Sequence, residues 1–191
     1  YGREIKDVLV SVEAYDSTSK QFVNIPAMDC GFSYRSSKFK TTDKDRFFIT
    51  SITLHLTKAT PEPPFYSSLQ AYLSQNNITE YSPQIIRDAV IAIRSAKLPD
   101  PAVVANNGSF FQNPIISSEQ AVPLIAAYPD IVKWDQPDGN IKLSAAWLVE
   151  QAGFKDFHDV QTGMATWAKQ PLVLVNEKAQ TTASLLEFKQ K

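Results

Sequence analysis

The sequence predicts an α+β fold, on three observations. Near the start, Val8, Val10, Val12 and Ala14 alternate with Leu9, Ser11, Glu13 and Tyr15, the period-two signature of a strand. In the middle, Ile86, Ala89, Val90 and Ile93 recur at helical spacing. Late in the chain PLVLVN is an unbroken apolar run of strand length. Strands come first, then helices mixed with short strands, without regular βαβ alternation, internal repeat or low-complexity segment.

The first alternating run is followed by the turn residues DSTSK and by QFVNI, which alternates again, so a β-hairpin is expected. MDCGFSYRSSKF ends a helical or turn segment in an irregular stretch, and RFFITSITLHL resumes the period of two with β-branched and aromatic residues, ending a third strand near Leu56. Pro61, Pro63 and Pro64 break any further ladder, since proline has no N–H to donate, and FYSSLQAYLSQ reads as a short helix opening an excursion that is either a lid or a connector. Ser82-Pro83 is an N-cap followed by a first-turn proline, which predicts a helix over 83–96. Pro99 and Pro101 make a stiff joint and the expected domain boundary, giving domains of 1–98 and 99–191 with the excursion at 61–96. Beyond it, Ser117-Ser118-Glu119-Gln120 has the pattern of a capping box opening a helix to Ala127, and Asp138-Gly139 is a hairpin turn between short strands. Ser144 caps AAWLVEQ and Gly153 ends it; TTASLLEFKQK begins a last helix with no stop signal.

Composition excludes several classes of function. At 191 residues and 43% hydrophobic content the chain can bury a core. Nineteen Lys and Arg against 20 Asp and Glu leave no net charge to draw it onto nucleic acid or an anionic membrane, and no apolar run approaches a membrane span. One cysteine, Cys30, permits no intrachain disulfide and no cysteine-based metal site, so a reducing compartment, the cytoplasm, is expected. The two glycosylation sequons, at Asn77 and Asn107, are too short a pattern to weigh against that. The absence of an initiator Met, with charges beginning at once in YGREIKDVLV, suggests a segment of something longer.

The stretch NNGSFFQNP, Asn106 to Pro114, carries the sharpest chemical question. Ser109 follows its glycine directly and precedes two phenylalanines, so it does not match the G-x-S-x-G elbow of a hydrolase. The two histidines, His55 in a strand face and His158 in a polar loop, form no recognisable triad with an acid, and neither they nor the scattered carboxylates have metal-ligand spacing. What is left for Ser109 is to donate a proton or a hydrogen bond from a tight Gly-Ser turn, or to satisfy its own backbone there. Arg35, beside aromatics in an irregular segment, suits a carboxylate or phosphate, and equally suits snorkelling over Tyr34. Lys97 at a helix end complements the dipole. No Walker loop or G-x-G-x-x-G is present.

Taken together, YGREI, CGFSYRSSKFK, RFFITSITLHL, AKLPDP, NGSFFQNP, YPD, DGNIKLSAAWLVEQAGFK and QPLVLVNEKAQTTASLLEF resemble, in order and over nearly the whole chain, the UDP-N-acetylenolpyruvoylglucosamine reductases, flavoenzymes of bacterial peptidoglycan synthesis. The resemblance implies the latter half of an FAD-binding α+β domain followed by a small substrate-binding α+β domain. It implies NADPH- and FAD-dependent reduction of UDP-N-acetylglucosamine enolpyruvate to UDP-N-acetylmuramate, with no obligate protein partner. It carries the family's proton-donating serine onto Ser109, its carboxylate-polarising arginine onto Arg35, and its covering tyrosine onto Tyr66. Lys97 and Asn113 fall on the pyrophosphate, Gln170 near the uracil, and Lys155 and Trp134 on further substrate contacts.

Trp134 replaces a frequent tyrosine and Gln112 a frequent basic residue. The flavin-binding part would lie mostly ahead of Tyr1 and a late catalytic glutamate beyond Lys191. The chain alone is therefore expected neither to hold FAD tightly nor to turn over. The alternatives are a non-catalytic UDP-sugar-binding module and a structural protein without a ligand.

Overall fold

The structure, a computed structural model, describes residues 3–178 and 181–190. Tyr1 and Gly2, which open the resembling runs, and Ala179 and Gln180 in the last of them lie outside the described residues. Helix and sheet are mixed, as expected, in two compact units, Tyr1–Val90 and Ile91–Lys191.

In the first unit, β1 (Leu9–Asp16), β2 (Gln21–Pro26) and β3 (Phe47–Leu54) form an antiparallel sheet in the order β2-β1-β3. Along β1 a register shift between Leu9 and Ser11 breaks the alternation, so Leu9, Val12 and Ala14 are buried with Ile25 and Cys30 while Val10 is exposed, and Phe32, Phe39 and Phe47 pack against that cluster. Asp16 closes the sheet end. Its carboxylate accepts from Arg46 Nε at 2.9 Å and Nη2 at 2.8 Å, and from the Thr18 backbone N–H, tying the β1–β2 turn to the start of β3. The guanidinium holds Asp16 far below the usual carboxylate range. His55 follows β3 instead of lying within it, its N–H bonded to the Val8 carbonyl. The proline-broken segment leads to α1 (Ser67–Gln75), which buries Leu69 and Leu73, and Phe65 meets Tyr81 edge-on at 4.9 Å.

α2 spans Pro83–Lys97 and Ser82 caps it through the Ile85 N–H, as the sequence predicts. The division between the compact units falls inside α2, between Val90 and Ile91. Beyond it Pro99 is buried, and Trp167 and Lys169 bond the last turn of the helix.

The second unit is built on a four-stranded antiparallel sheet in the order β4-β10-β9-β8, from β4 (Asn106–Ser109), β8 (His158–Asp159), β9 (Met164–Trp167) and β10 (Gln170–Asn176). A three-stranded sheet in the order β5-β7-β6 comprises β5 (Ile115–Ile116), β6 (Lys133–Asp135) and β7 (Ile141–Leu143), with Gly139 at φ +81° in the predicted hairpin turn. α3 (Ser118–Ala127) opens on the predicted reciprocal capping box between Ser117 and Gln120. α4 (Ala145–Gln151) is capped by Ser144, Gly153 follows it in the left-handed conformation, and α5 (Thr182–Phe188) closes the unit. β9 and β10 carry the core: Val173, Val175 and Ala165 form one cluster with Leu98, Val104 and Trp167, while Leu174 and Met164 pack with Phe188, Phe110 and Phe111 on another.

Candidate functional site

The Asn106–Ser109 segment reads as a turn and folds as an edge strand. Ser109 is the register partner of Val173 and Asn106 that of Val175, so Asn107 and Gly108 together oppose Leu174, which is a β-bulge. Gly108 occupies φ +67°, the left-handed region that a bulge of this kind requires and that a side chain would strain. The local backbone is satisfied by Asn106, whose Oδ1 accepts from the Gly108 N–H and whose Nδ2 donates to the Val104 carbonyl. The Ser109 hydroxyl therefore does not serve the turn: it is exposed and takes no hydrogen bond among the described residues. The two phenylalanines anchor the chain beyond it. Phe110 N–H donates to the Leu172 carbonyl at 2.7 Å, and both rings, edge-to-face at 5.1 Å, pack on the Met164–Leu174–Phe188 cluster.

Ser109 thus stands where β4 leaves the sheet, at the end where β10 enters. Gln170, half-buried, is the first residue of β10, opposite Trp167 across the two-residue turn from β9. Trp167 in turn donates from its indole Nε1–H to the Lys97 carbonyl at 2.9 Å. Gln170 and, through the Trp167 indole, the backbone of Lys97 thus lie at that end of the sheet, while Ser109 stands opposite Val173, three residues along β10 from Gln170. Asn113, four residues beyond Ser109, uses its Oδ1 to accept from the Ala145 N–H at 2.9 Å and so helps cap α4; its Nδ2 has no protein partner among the described residues.

Two expected residues sit apart from that edge. Lys155 pairs with Glu150 and precedes β8, the strand on the opposite side of the sheet from β4. Trp134 lies on β6 of the small sheet, where its register partner Lys142 places Nζ 5.4 Å from the ring centroid. Lys142 carries no sequence motif, and only its register reveals it.

In the first unit Arg35 occupies φ +55° in a tight loop closed by reciprocal backbone hydrogen bonds between Ser33 and Ser36, both 3.1 Å. Such strain in a non-glycine residue concentrates at ligand clamps. The loop borders a cleft of about 490 Å³ lined also by Arg3, Glu4, Lys6, Tyr34 and Lys40. Glu4 is held by Lys6 at 2.6 Å, and no carboxylate pairs with Arg3, Arg35 or Lys40 among the described residues, so the cleft suits an anion. Tyr66 precedes α1 and is exposed.

His158 corrects the sequence reading. It lies in β8, not in a loop, and it does meet acids: Nδ1 is 2.8 Å from Glu177 and Nε2 3.3 Å from Asp156. The bond to Glu177, and then that to Asp156, raise its pKa above the ordinary histidine value. These groups border a cleft of about 390 Å³ whose lining includes Val103, Trp167 and Lys169 but no serine. Among the described residues no group of three His, Cys, Asp or Glu side chains could hold a metal, and no helix is long and apolar enough to cross a membrane. Cys30 is buried, which pushes its thiol pKa up.

Residues 100–191 match the domain family described as UDP-N-acetylenolpyruvoylglucosamine reductase, C-terminal domain. Proteins named UDP-N-acetylenolpyruvoylglucosamine reductase are similar over nearly the whole chain. The one from Cupriavidus pinatubonensis is 44% identical over 97% of this chain and 54% of its own length, and that from Neisseria gonorrhoeae 42% identical over 93% and 51%. The chain spans about half the length of the curated relatives it matches. The crystal structure of the Thermus caldophilus reductase shares the fold with a TM-score of 0.55 at 16% identity, over 97% of this chain and 48% of that one.

Proposed function

Because the chain belongs to the UDP-N-acetylenolpyruvoylglucosamine reductase family, we propose that it supplies the substrate-handling part of an oxidoreductase that reduces UDP-N-acetylglucosamine enolpyruvate to UDP-N-acetylmuramate for cell-wall synthesis in the cytoplasm. The observation that carries the reading is Ser109: a hydroxyl held at a bulged strand end, exposed and unused by its own backbone. In this reading residues 1–98 are the latter part of the flavin-binding domain and 99–191 the substrate domain.

FAD, reduced by NADPH, supplies when bound the hydride that adds to the vinyl carbon of the enolpyruvyl ether. The cationic cleft beside Arg35 fits the anionic character of the ligands involved. The carbon next to the carboxylate is then left with the electron pair, and Ser109 Oγ–H donates the proton that completes the C–H bond. The serine oxygen recovers its proton from solvent, to which it is open. A hydroxyl is a weak acid, so it serves only when positioned against the carbanion. Arg35 is assigned to the substrate carboxylate, where a guanidinium offers two parallel donors and disperses the charge that develops.

Lys97 and the open Asn113 Nδ2 are assigned to the pyrophosphate, Gln170 to the uracil, Tyr66 to covering the substrate, and Trp134 and Lys155 to outer contacts. Of these, Lys97, Asn113 and Gln170 lie in one unit, and the Trp167 bond ties the Lys97 backbone to the turn that leads to Gln170. A second reading, a nucleotide-sugar-binding module without turnover, is favoured by the presence of those three residues in one unit.

The test is Ser109→Ala in a full-length reductase bearing this segment. The reading expects flavin reduction by NADPH at the normal rate and product formation lowered by at least about a hundredfold, the size of a lost general acid. Product formed at the normal rate would end the assignment.

A further inference from the structure

The clamp on the end of α2 has no part in the functions assigned so far. The last four carbonyls of a helix have no partner inside it. Here two of them are taken by side chains from a single turn: Trp167 Nε1–H donates to the Lys97 carbonyl at 2.9 Å, and Lys169 Nζ donates to the Ala96 carbonyl at 3.0 Å. The contacts join residues 70 and 73 positions apart in sequence. The body of the indole packs beside Leu98 and Val104 on the buried Ala165, Val173 and Val175, so the donor is held by a core that cannot readily shift. The turn that delivers both donors ends at Gln170, the register partner of Trp167.

A lysine ammonium sits on a flexible four-carbon stem, and the volume it searches is set by where its backbone is fixed. A frayed last turn would let Lys97 wander relative to Gln170; a clamped one presents both from one rigid edge. We propose that Trp167, assisted by Lys169, is a positioning residue for nucleotide-sugar binding, fixing the backbone of Lys97 against the turn that carries Gln170 so that a cation for a pyrophosphate and an amide for a base are offered together. The inference rests on the assignment of Lys97 and Gln170 made above.

The test is calorimetric titration of the 191-residue chain with UDP, for the native protein and three variants. Trp167→Phe keeps a packed ring and removes the donor. Trp167→His restores it, because imidazole Nε2 joins Cγ through the same two bonds as indole Nε1. Lys169→Met removes the second tie alone. The inference expects UDP binding by the native chain, binding weakened about fivefold in Trp167→Phe, the effect of one net hydrogen bond, and recovery of most of that loss in Trp167→His. Lys169→Met weakens binding about twofold, as an exposed contact should. A purely structural cap would lower melting temperature without this pattern of loss and rescue in affinity.

Native binding with unchanged affinity in Trp167→Phe overturns the positioning role and leaves the nucleotide assignment standing. No UDP binding by the native chain overturns the assignment itself, and the inference falls with it. Should Trp167→Phe fail to fold, Trp167→His and Lys169→Met are read in its place: near-native affinity in the first with a loss in the second supports the clamp, and native affinity in Lys169→Met overturns it.

Discussion

The sheet of the first unit and the main sheet of the second meet solvent in opposite ways. β3 is exposed at every position after Phe47, with Phe48, Ile49, Ile52 and Leu54 among the large hydrophobic side chains left in solvent. β10 is buried at Pro171, Val173, Leu174 and Val175, with apolar clusters packed about it. A sheet face contributes stability only when another layer covers it. The second unit therefore closes a core of its own, and the residues that gather at the 170 end of its sheet inherit a fixed backbone. Arg35, by contrast, sits on a strained loop over an open cleft. The closely packed β10 thus leads directly from Gln170, and its cluster includes Leu98 at the end of α2.

The largest effect that would break this comparison is in the cores. Leu174→Ala, at a fully buried position, should cost the second unit about 3 kcal/mol, whereas Ile52→Ala, at 44% exposure, should cost the first no more than about 0.5 kcal/mol. Denaturant unfolding followed by residue-resolved amide exchange measures both. Equal losses would mean that β3 is covered in solution.

Acid should then separate the units. Asp16 has a lowered pKa because Arg46 bonds its carboxylate, so its stabilisation is present above about pH 4, the unfolded value, and is lost as pH falls through the folded one. Arg46→Met should remove that acid dependence from the first unit, as seen in amide exchange at Asp16–Lys20, and leave the second unchanged. The opposite sign belongs to His158. Its pKa is raised by Glu177 and Asp156, so its stabilisation is complete below about pH 6.5 and is lost as pH rises through the folded value. The effect is smaller because the ring is 53% exposed. Melting curves between about pH 5.5 and 8.5, a range from about one unit below the unfolded pKa to about two units above it, should fall more steeply for the native chain than for His158→Gln. Parallel curves would show that the two carboxylates do not hold the ring in solution. The smallest effect on stability should come from Ser109→Ala, within about 0.5 kcal/mol, because the hydroxyl bonds to none of the described residues.

Much of this fold was legible because its signals are local. The β1–β2 alternation, the Ser117–Gln120 capping box, Ser144, Gly139 and Gly153 each act within a few residues of themselves, and each forms the predicted feature. β4 was not legible: Asn-Asn-Gly-Ser has turn composition, and it becomes a strand through its ladder with β10, more than sixty residues on. The resemblance pointed to Ser109, but only that ladder explains why a glycine precedes it and two phenylalanines follow. His158 was misread for the same reason. Its stronger acid, Glu177, is 19 positions away and is brought to it by the β8-β9-β10 pairing. The clamp from Trp167 to Lys97 spans still more chain and has no sequence pattern.

The most direct test of the claim that the second unit carries the nucleotide-sugar edge by itself is an amide and side-chain NMR titration of the chain with UDP-N-acetylglucosamine. The account predicts saturable shifts centred on Lys97, Ser109, Asn113 and Gln170, with the strands of the first unit unmoved. Shifts confined to the cleft around Arg35, or none at saturating ligand, would contradict it.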